Sequence, residues 1–229
     1  MKERLVVVSV VRDKAMYATC VGDNKFLADA ERVMIDNSIE NRAIPFRYNA
    51  FLNNFDYSKP AWIMFCHEDF EIKDDIAKRL DELDCGLLYG FVGSRRIGLF
   101  GLGVQRILWG SKVKTGTEVE TFDCCCIIVH SSLIQKHRLG FDEKLEFDLY
   151  VEDFCAMAKV KAGIRCRLLH FNAEHHSSSR ATERLFRHLP YLKLKYPHNC
   201  FSATCVYFGT RPLLMRFEDW VIRGVFRKQ

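Results

Sequence analysis

The chain has 229 residues, of which 48% are hydrophobic and 28% are charged. This length suits one large domain, and this composition excludes a disordered or collagen-like protein. No apolar run approaches the roughly 20 residues that span a bilayer, and residues 1–4 lead into a strand pattern without the features of a secretory signal. We therefore expect a cytoplasmic protein without a membrane-spanning helix.

The formal net charge of +5 is divided unevenly along the chain. Residues 1–156 contain 20 basic and 25 acidic side chains, whereas residues 157–229 contain 14 and 4, a net of +10. A basic segment is typical of a protein that meets phosphate, nucleic acid or a membrane surface, and equally of a solvated face. No nucleic-acid-binding motif accompanies it, so we expect no nucleic-acid partner.

The ten cysteines do not predict a disulfide framework. Three of them, Cys124, Cys125 and Cys126, are consecutive in a strand-like run, where alternate residues face opposite sides. They cannot all pair with one partner, and the chain contains no Cys-x-x-Cys motif for zinc or redox chemistry. We expect small, buried, reduced side chains.

Apolar runs and helical patterns alternate along the first half of the chain. Leu5–Val11 is a continuous apolar run of the kind found in buried parallel strands, and residues 32–35 and 61–66 form shorter ones. Helical patterns cover residues 17–21, 48–55 and 74–83. This alternation predicts an α/β fold with a central, mostly parallel sheet flanked by helices.

The second half continues this pattern and ends differently. We predict strands over 85–92, 124–130 and 164–169, and helices over 131–137, 151–162 and 181–195, with Gly163 as a helix cap. The Gly-rich stretch from Gly90 to Gly110 predicts a functional loop. An amphipathic pattern over 213–226 predicts a last helix, so we divide the chain into a domain at 1–200 and a helical extension at 201–229. This helix packs on the domain or lies in a membrane interface, and both alternatives stay open.

Acidic residues follow two predicted strands at the edge where α/β sheets bind ligands. Asp36 follows the second strand, and Glu68 and Asp69 follow the third. Carboxylates at the carboxyl ends of parallel strands suit a divalent cation shared with substrate phosphates. Acidic residues also end strands in ordinary turns, so this pattern alone does not decide between the two interpretations.

Two further clusters have both a structural and a chemical interpretation. Glu152 and Asp153 begin a predicted helix, where the helix dipole favours acids and where a general base would also lie at the mouth of the sheet. His175 and His176 stand in a Ser-rich segment. Imidazoles bind metals and phosphates, but adjacent histidines are commonly just solvated.

Taken in order, these clusters resemble the glycosyltransferase family-two-like group with the GT-A fold, which includes the streptomycin-biosynthesis-type transferases. The resemblance covers roughly residues 4–200, and the ordered set carries it rather than any single motif. Its four elements are residues 8–11 with Asp36-Asn37-Ser38, residues 47–50 with His67-Glu68-Asp69-Phe70, residues 141–143 with residues 150–155 and 162–163, and residues 176–179.

The resemblance implies a metal-dependent, inverting transfer of a sugar from a nucleotide-diphosphate sugar, with a UDP-sugar as the expected donor. The implied acceptor is a saccharide or lipid-linked saccharide in surface polysaccharide or glycoconjugate synthesis. Such an acceptor would bring the protein to the inner face of a membrane as a peripheral protein.

The resemblance also implies roles for individual residues. Asp153 is the implied base with Glu152 as second choice, and Asp69 and His176 are the implied ligands of Mn²⁺ or Mg²⁺. Which of His67, Glu68 and Asp69 contacts the metal stays open, as does His175 against His176. The implied nucleotide-binding residues are Val10, Asp36, Asn37, Arg47, Asn49, His67 and Glu68, and the implied sugar or acceptor residues are Trp109, Gly93 and Asp123.

Two other functions remain as alternatives. A nucleotidyltransferase also places acids and a metal beside a nucleotide, but it would show a Gly-rich basic loop after the first strand. Here Arg12-Asp13-Lys14 follows that strand without glycine. A non-catalytic module that binds nucleotide sugars or carbohydrates is the second alternative.

Overall fold

A computed structural model describes residues 4–97, 104–177 and 183–210 of the chain. The central sheet has seven strands in the order β2-β1-β3-β10-β5-β11-β8. These strands are β1 (Leu5–Val11), β2 (Glu31–Asp36), β3 (Trp62–Cys66), β5 (Leu88–Gly90), β8 (Thr117–Val119), β10 (Cys126–His130) and β11 (Cys166–Leu168). Three small sheets are formed by β4 (Phe70–Ile72) with β12 (Ala173–His175), by β6 (Val92–Ile97) with β7 (Val104–Trp109) and β9 (Thr121–Phe122), and by β13 (Cys200–Ser202) with β14 (Tyr207–Gly209).

Five α-helices accompany these strands in the described residues. They are α1 (Lys14–Tyr17), α2 (Ile44–Asn53), α3 (Ser131–His137), α4 (Tyr150–Ala162) and α5 (Glu183–Lys195). Short 3-10 or π turns cover Ala18–Gly22, Lys25–Leu27, Ile76–Glu82, Gly110–Lys112 and Glu143–Leu145. None of the described helices is long and apolar enough to span a membrane.

The mostly parallel sheet explains the apolar runs of the sequence. Five of its seven strands run in one direction, while β8 and β10 run against them. Every residue of β1, β3 and β10 is buried, because packed side chains cover both faces of the sheet. The expected α/β architecture is confirmed, and the carboxyl ends of β1, β2 and β3 meet at one edge.

Individual residues explain where α2 begins and where α4 ends. Helix α2 begins four residues before its predicted start, because Pro45 stands in its first turn, where the missing N–H costs nothing. Helix α4 ends at Gly163, whose φ of 68° is the expected left-handed cap. The segment predicted as a helix over 74–83 is a 3-10 helix over Ile76–Glu82 instead.

The Gly-rich stretch is the largest difference from the expected organisation. Instead of one long loop, its described residues form the antiparallel pair β6 and β7, joined from Val92↔Trp109 to Ile97↔Val104. Two of its glycines allow close packing rather than mobility. A Cβ at Gly93 would lie 2.9 Å from the Val119 side chain, and one at Gly110 would lie 2.4 Å from the carbonyl oxygen of Leu169.

The segment after residue 200 begins as strands and not as a helix. Strands β13 and β14 pair from Cys200↔Gly209 to Ser202↔Tyr207, and they pack against the domain through Phe201 and Phe208. The predicted amphipathic helix over 213–226 lies outside the described residues. All ten cysteines are free; seven are buried, but Cys85 and Cys124 are half-buried and Cys205 is exposed, so the expectation that they are all buried is wrong.

Candidate active site

A cleft of about 180 Å³ opens at the carboxyl ends of β1, β2 and β3. This is the edge at which parallel α/β sheets bind their ligands. It brings together four of the predicted nucleotide-binding residues and the predicted metal ligand Asp69. The lining residues are Val10, Arg12, Asn37, Ile44, His67, Glu68, Asp69 and Phe147.

Two imidazoles and one carboxylate meet at this edge. Nε2 of His175 lies 3.2 Å from Oδ1 of Asp69, and Nδ1 of His67 lies 4.0 Å from the same oxygen. The ligand atoms of His67, Asp69 and His175 all lie within 4.8 Å of one another. Imidazole nitrogen and carboxylate oxygen are the donors that bind divalent transition metals, so this donor set fits the implied cation.

The protonation states of these groups also suit a metal. Burial lowers the pKa of His67, and the neighbouring His175 lowers it further. Burial acts to raise the pKa of Asp69, but the hydrogen bond and charge of His175 outweigh it, so this pKa lies below its usual value. A neutral imidazole and an ionised carboxylate are the forms that coordinate metal ions.

Tyr150 fixes the orientation of His67 from the other side. Its hydroxyl donates to the carbonyl oxygen of Cys124 at 3.3 Å and lies 3.0 Å from Nε2 of His67. A hydroxyl has a single proton, and a carbonyl only accepts. While it donates to Cys124, the hydroxyl oxygen can accept the Nε2 proton of His67, and in that tautomer the lone pair on Nδ1 faces Asp69 and His175.

The side chain of His176, the metal ligand implied by the resemblance, lies apart from that of Asp69, in another group of potential metal ligands with Glu71 and Glu174. Its Nε2 lies 2.9 Å from Oε2 of Glu71, and Nζ of Lys73 lies 2.5 Å from Oε2 of Glu174 beside it. Glu174 and His175 are consecutive in β12 and face opposite sides of it, and His176, which follows the strand, lies on the side of Glu174. Pairing with β4 directs His175 to Asp69, and His176 toward the exposed face.

Glu152 and Asp123 form a carboxylate pair beside the candidate metal-ligand cluster, which consists of His67, Asp69 and His175. Glu152 is 4% exposed, and its Oε2 accepts from Sγ of Cys124 at 3.0 Å. Burial and the charge of Asp123 raise the pKa of Glu152 to about 8. Asp123 is half-buried and lies with Cys125 and His175 in a second group of potential metal ligands. A carboxyl with a raised pKa beside a potential metal site is typical of a catalytic group.

Asp153, the first choice for the base, faces away from this pair. It has no exposed surface, and its Oδ2 lies 2.8 Å from Nζ of Lys195. Its Oδ1 accepts from the hydroxyl of Tyr196 at 2.7 Å. Lys195 also contacts Asp142 at 2.6 Å, so Asp153 belongs to a buried network that fastens α5 to α4.

The other predicted nucleotide-binding residues do not all lie at the end of β2. Asp36 is exposed at the end of β2, where the hydrogen bond from Lys14 holds its pKa below the usual range. The buried Asn37 accepts from Nε of Arg47 at 3.0 Å. Asn49 lies elsewhere, where its amide bonds both backbone groups of Phe141.

Glu68 lines the cleft, and its carboxylate holds the turn that follows β1. Its Oε2 accepts from the backbone N–H of Arg12 at 2.6 Å and of Asp13 at 2.9 Å. Asp13 in turn caps α1 through bonds from Ala15 and Met16. Glu68 therefore shapes the turn after β1, which leaves Asp69 and His67 as the candidate metal ligands of this motif.

The predicted sugar or acceptor residues lie along the side of the small β6-β7-β9 sheet. Asp123 accepts from the backbone N–H of Cys125 and, at 2.9 Å, from the hydroxyl of Thr204. Thr204 follows β13, so the β13–β14 hairpin borders the site. Trp109 is 43% exposed at the end of β7, and Gly93 is packed within β6 away from the cleft lining.

Sequence reasoning did not single out Tyr150 or Thr204, and it preferred His176 to His175. Tyr150 stands next to the Glu152–Asp153 pair, but no pattern marks its hydroxyl as a partner of His67. The contact between Thr204 and Asp123 joins residues 81 positions apart, which no local signal reveals.

The comparisons with known proteins support the fold. No protein-family model and no curated protein sequence matches this chain. The crystal structure of S. aureus TarS is similar at TM-score 0.51 and 13% identity, covering 96% of this chain and 42% of that one.

Two further similarities are weaker. The S. aureus TarS 1-349 structure gives TM-score 0.46 at 15% identity, covering 72% of this chain and 58% of that one. A197 from STIV gives 0.41 at 14% identity, covering 76% and 86%. This chain therefore spans less than two thirds of either TarS chain. It has a mixed α/β fold with a mostly parallel central sheet, similar to the fold of S. aureus TarS.

Proposed function

We propose that this protein is a glycosyltransferase that moves a sugar from a nucleotide-diphosphate sugar, with a UDP-sugar as the expected donor. The acceptor is a hydroxyl of a saccharide or lipid-linked saccharide in surface polysaccharide synthesis. The observation that carries this proposal is the His67–Asp69–His175 cluster at the carboxyl end of β3, beside the cleft formed by β1 and β2. The fold shared with TarS supports it.

The cluster would hold Mn²⁺ or Mg²⁺. Two imidazole ligands favour Mn²⁺, because Mg²⁺ prefers oxygen ligands. When bound, the cation supplies Lewis-acid stabilisation of the diphosphate leaving group. The residues of this chain orient that cation, since Tyr150 holds His67 and the β4–β12 pair holds His175.

The remaining cleft residues suit the nucleoside part of the donor. Ile44 and Phe147 provide an apolar wall, and Asn37 and Arg12 provide polar groups at its rim. Asn37 is 1% exposed and fixed by hydrogen bonds with Arg42 and Arg47. A pocket with apolar walls and a few oriented polar groups is typical of small-ligand sites.

Glu152 is our proposed base, in place of Asp153. The acceptor oxygen forms the new bond to the anomeric carbon of the donor sugar, the bond to the diphosphate breaks, and the hydroxyl proton passes to the carboxylate. One carboxylate is enough for such an inverting displacement. Glu152 borders Asp123 and the metal-ligand cluster, whereas both oxygens of Asp153 are engaged by Lys195 and Tyr196.

The experiment that tests this function follows the released product. The protein is incubated with Mn²⁺, a panel of UDP-sugars and saccharide acceptors, and the release of UDP is measured. We expect release with at least one donor, and its loss in Asp69→Asn. The conservative change Asp56→Asn, at an exposed residue before β3 and so toward the other end of that strand from the cleft, serves as the control and retains activity.

The same measurement separates the two alternatives. A nucleotidyltransferase would leave the UDP-sugar intact in this mixture, and it would release pyrophosphate only when UTP and a sugar 1-phosphate replace the donor and acceptor. A non-catalytic module would bind the donor without releasing either product. Either of these outcomes would contradict the proposed function.

A further inference from the structure

A second cleft, of about 490 Å³, lies beyond the carboxyl end of β11. It is separate from the cleft at β1, β2 and β3, with which it shares no lining residue. Arg79, His170 and residues 111–115 line it, and none of these side chains is a carboxylate. Its polar lining consists of cationic, imidazole and hydroxyl groups, which is the chemistry of an anion site.

Hydrogen bonds hold the loop that carries most of these groups. Nδ1 of His170 lies 2.9 Å from the carbonyl oxygens of both Gly110 and Val113. The N–H of His170 donates to the hydroxyl of Thr115 at 3.0 Å, and the N–H of Gly116 donates to Leu168 at 2.9 Å. The loop is thus tied to the end of β11 at several points, and the backbone that presents its lysines is fixed.

The positive charge of this cleft is largely uncompensated. Among the described residues, no carboxylate forms an ion pair with Lys112 or Lys114. Arg79 pairs with Asp74 at 3.2 Å, but Asp74 does not line the cleft. Three cations, Arg79, Lys112 and Lys114, line this cleft without a carboxylate among the lining residues, and like charges gathered at one place favour the binding of an anion there.

Two buried guanidinium donors beside the cleft also lack partners. Nε of Arg79 and Nε of Arg167 have no hydrogen-bond partner in the part of the chain that the structure describes. The Arg167 guanidinium lies next to the same loop, because a Cβ at Gly116 would lie 3.5 Å from its Nη1. Buried donors without partners are rare in folded proteins and indicate a missing water or ion.

We propose that this cleft binds an anionic group of the phosphate class, either free or carried by a substrate. Lys112, Lys114 and Arg79 would neutralise its charge, and the hydroxyls of Ser111 and Thr115 would donate to its oxygens. The proposal rests on the fixed loop, the absence of carboxylates from the lining and the unpartnered guanidinium donors.

The position of the cleft connects it with the active site. Strands β3 and β11 run in the same direction, so both clefts open at the same edge of the sheet. His170 is five residues before His175, which limits their Cα separation to about 17 Å. An acceptor that carries an anionic group can reach both sites, and this extension alone rests on the proposed glycosyltransferase function.

Binding is tested without nucleotide and with EDTA, so that the metal-ligand cluster does not contribute. Inorganic phosphate, glucose 6-phosphate and glucose are titrated separately into the full chain by isothermal titration calorimetry. We expect both phosphates to bind saturably and glucose not to bind. In Lys112→Met/Lys114→Met the phosphate affinity falls at least about tenfold, because two charge-assisted contacts are removed. Arg79→Met provides an independent variant with the same expected direction.

The control variant Lys136→Met/Lys159→Met removes the same charge from α3 and α4, on the other face of the sheet, and keeps the wild-type affinity. Tighter binding of glucose 6-phosphate would show that the site accepts an anion carried by a saccharide, and equal binding would show that it takes free phosphate. An absence of saturable binding, or an equal loss in both double variants, would overturn the site. Because sugar transfer is not measured, failure here is distinct from failure of the proposed function.

Discussion

The hydroxyl of Tyr150 lies 3.0 Å from Nε2 of His67 and so joins the first turn of α4 to the metal-ligand cluster. The same helix carries Glu152, two residues after Tyr150. The group that orients the proposed metal ligand and the proposed base therefore stand on one rigid element. A shift of α4 would disturb both.

The first prediction concerns this contact. In Tyr150→Phe, His67 loses the acceptor that fixes its tautomer, so the affinity for Mn²⁺ should fall about 10–100-fold while the fold is kept. Calorimetry or electron paramagnetic resonance with Mn²⁺ measures this directly. Tyr57→Phe is the matched control, because its hydroxyl donates to the carbonyl oxygen of Leu52 at 3.1 Å and not to a proposed ligand. Unchanged Mn²⁺ affinity in Tyr150→Phe would show that Tyr150 has only a packing role.

The second prediction concerns pH. The pKa of Glu152 is raised to about 8, so the carboxylate that accepts a proton predominates only above that pH. We expect kcat/KM to fall about tenfold per pH unit on the acid side of this pKa. A bound cation nearby would lower the pKa of Glu152, so the acid-side fall of kcat/KM would begin at a lower pH.

Glu152→Gln should remove most turnover and keep the affinity for the donor. Asp123→Asn provides a second test. Loss of the Asp123 charge lowers the pKa of Glu152, so the acid-side fall of kcat/KM should move to lower pH. A profile in Asp123→Asn that is shifted upward would contradict this electrostatic assignment.

The third prediction separates Asp153 from catalysis. Asp153→Asn weakens the contact with Lys195 and the bond from Tyr196 in a fully buried place, so we expect a loss of about 1–3 kcal/mol in unfolding free energy. Turnover at a temperature where the variant is folded should remain near that of the wild type. Urea unfolding and steady-state kinetics measure the two effects. A stable variant without turnover would return Asp153 to the role of the base.

Much of the fold and one edge of the site could be predicted from local patterns. Continuous apolar runs identified β1 and β3, because strands buried on both faces admit no polar alternation. The polar residues that end these strands, among them Asn37 and Asp69, do line one cleft, since parallel strands end at the same edge. The Gly163 cap was predictable because its left-handed backbone favours glycine.

The choices between adjacent residues could not be predicted in this way. Glu152 and Asp153 are separated by about 100° around the axis of α4, and Asp153 is the one held by Lys195 and Tyr196, more than 40 residues away, while Glu152 contacts Cys124. The Gly-rich stretch was misleading for a different reason. Gly93 and Gly110 occur there because neighbouring atoms leave no space for a Cβ, and not because the segment is a loop.

The most direct test of the central claim compares His175, the last residue of β12, with His176, which follows it. UDP binding is measured by calorimetry with Mn²⁺ and with EDTA in the wild type, in His175→Ala and in His176→Ala. We predict at least about tenfold tighter UDP binding with Mn²⁺ in the wild type and in His176→Ala, and no such difference in His175→Ala. Equal UDP affinity with Mn²⁺ and with EDTA in the wild type, or loss of the difference in His176→Ala alone, would contradict a metal-dependent nucleotide site built on His67, Asp69 and His175.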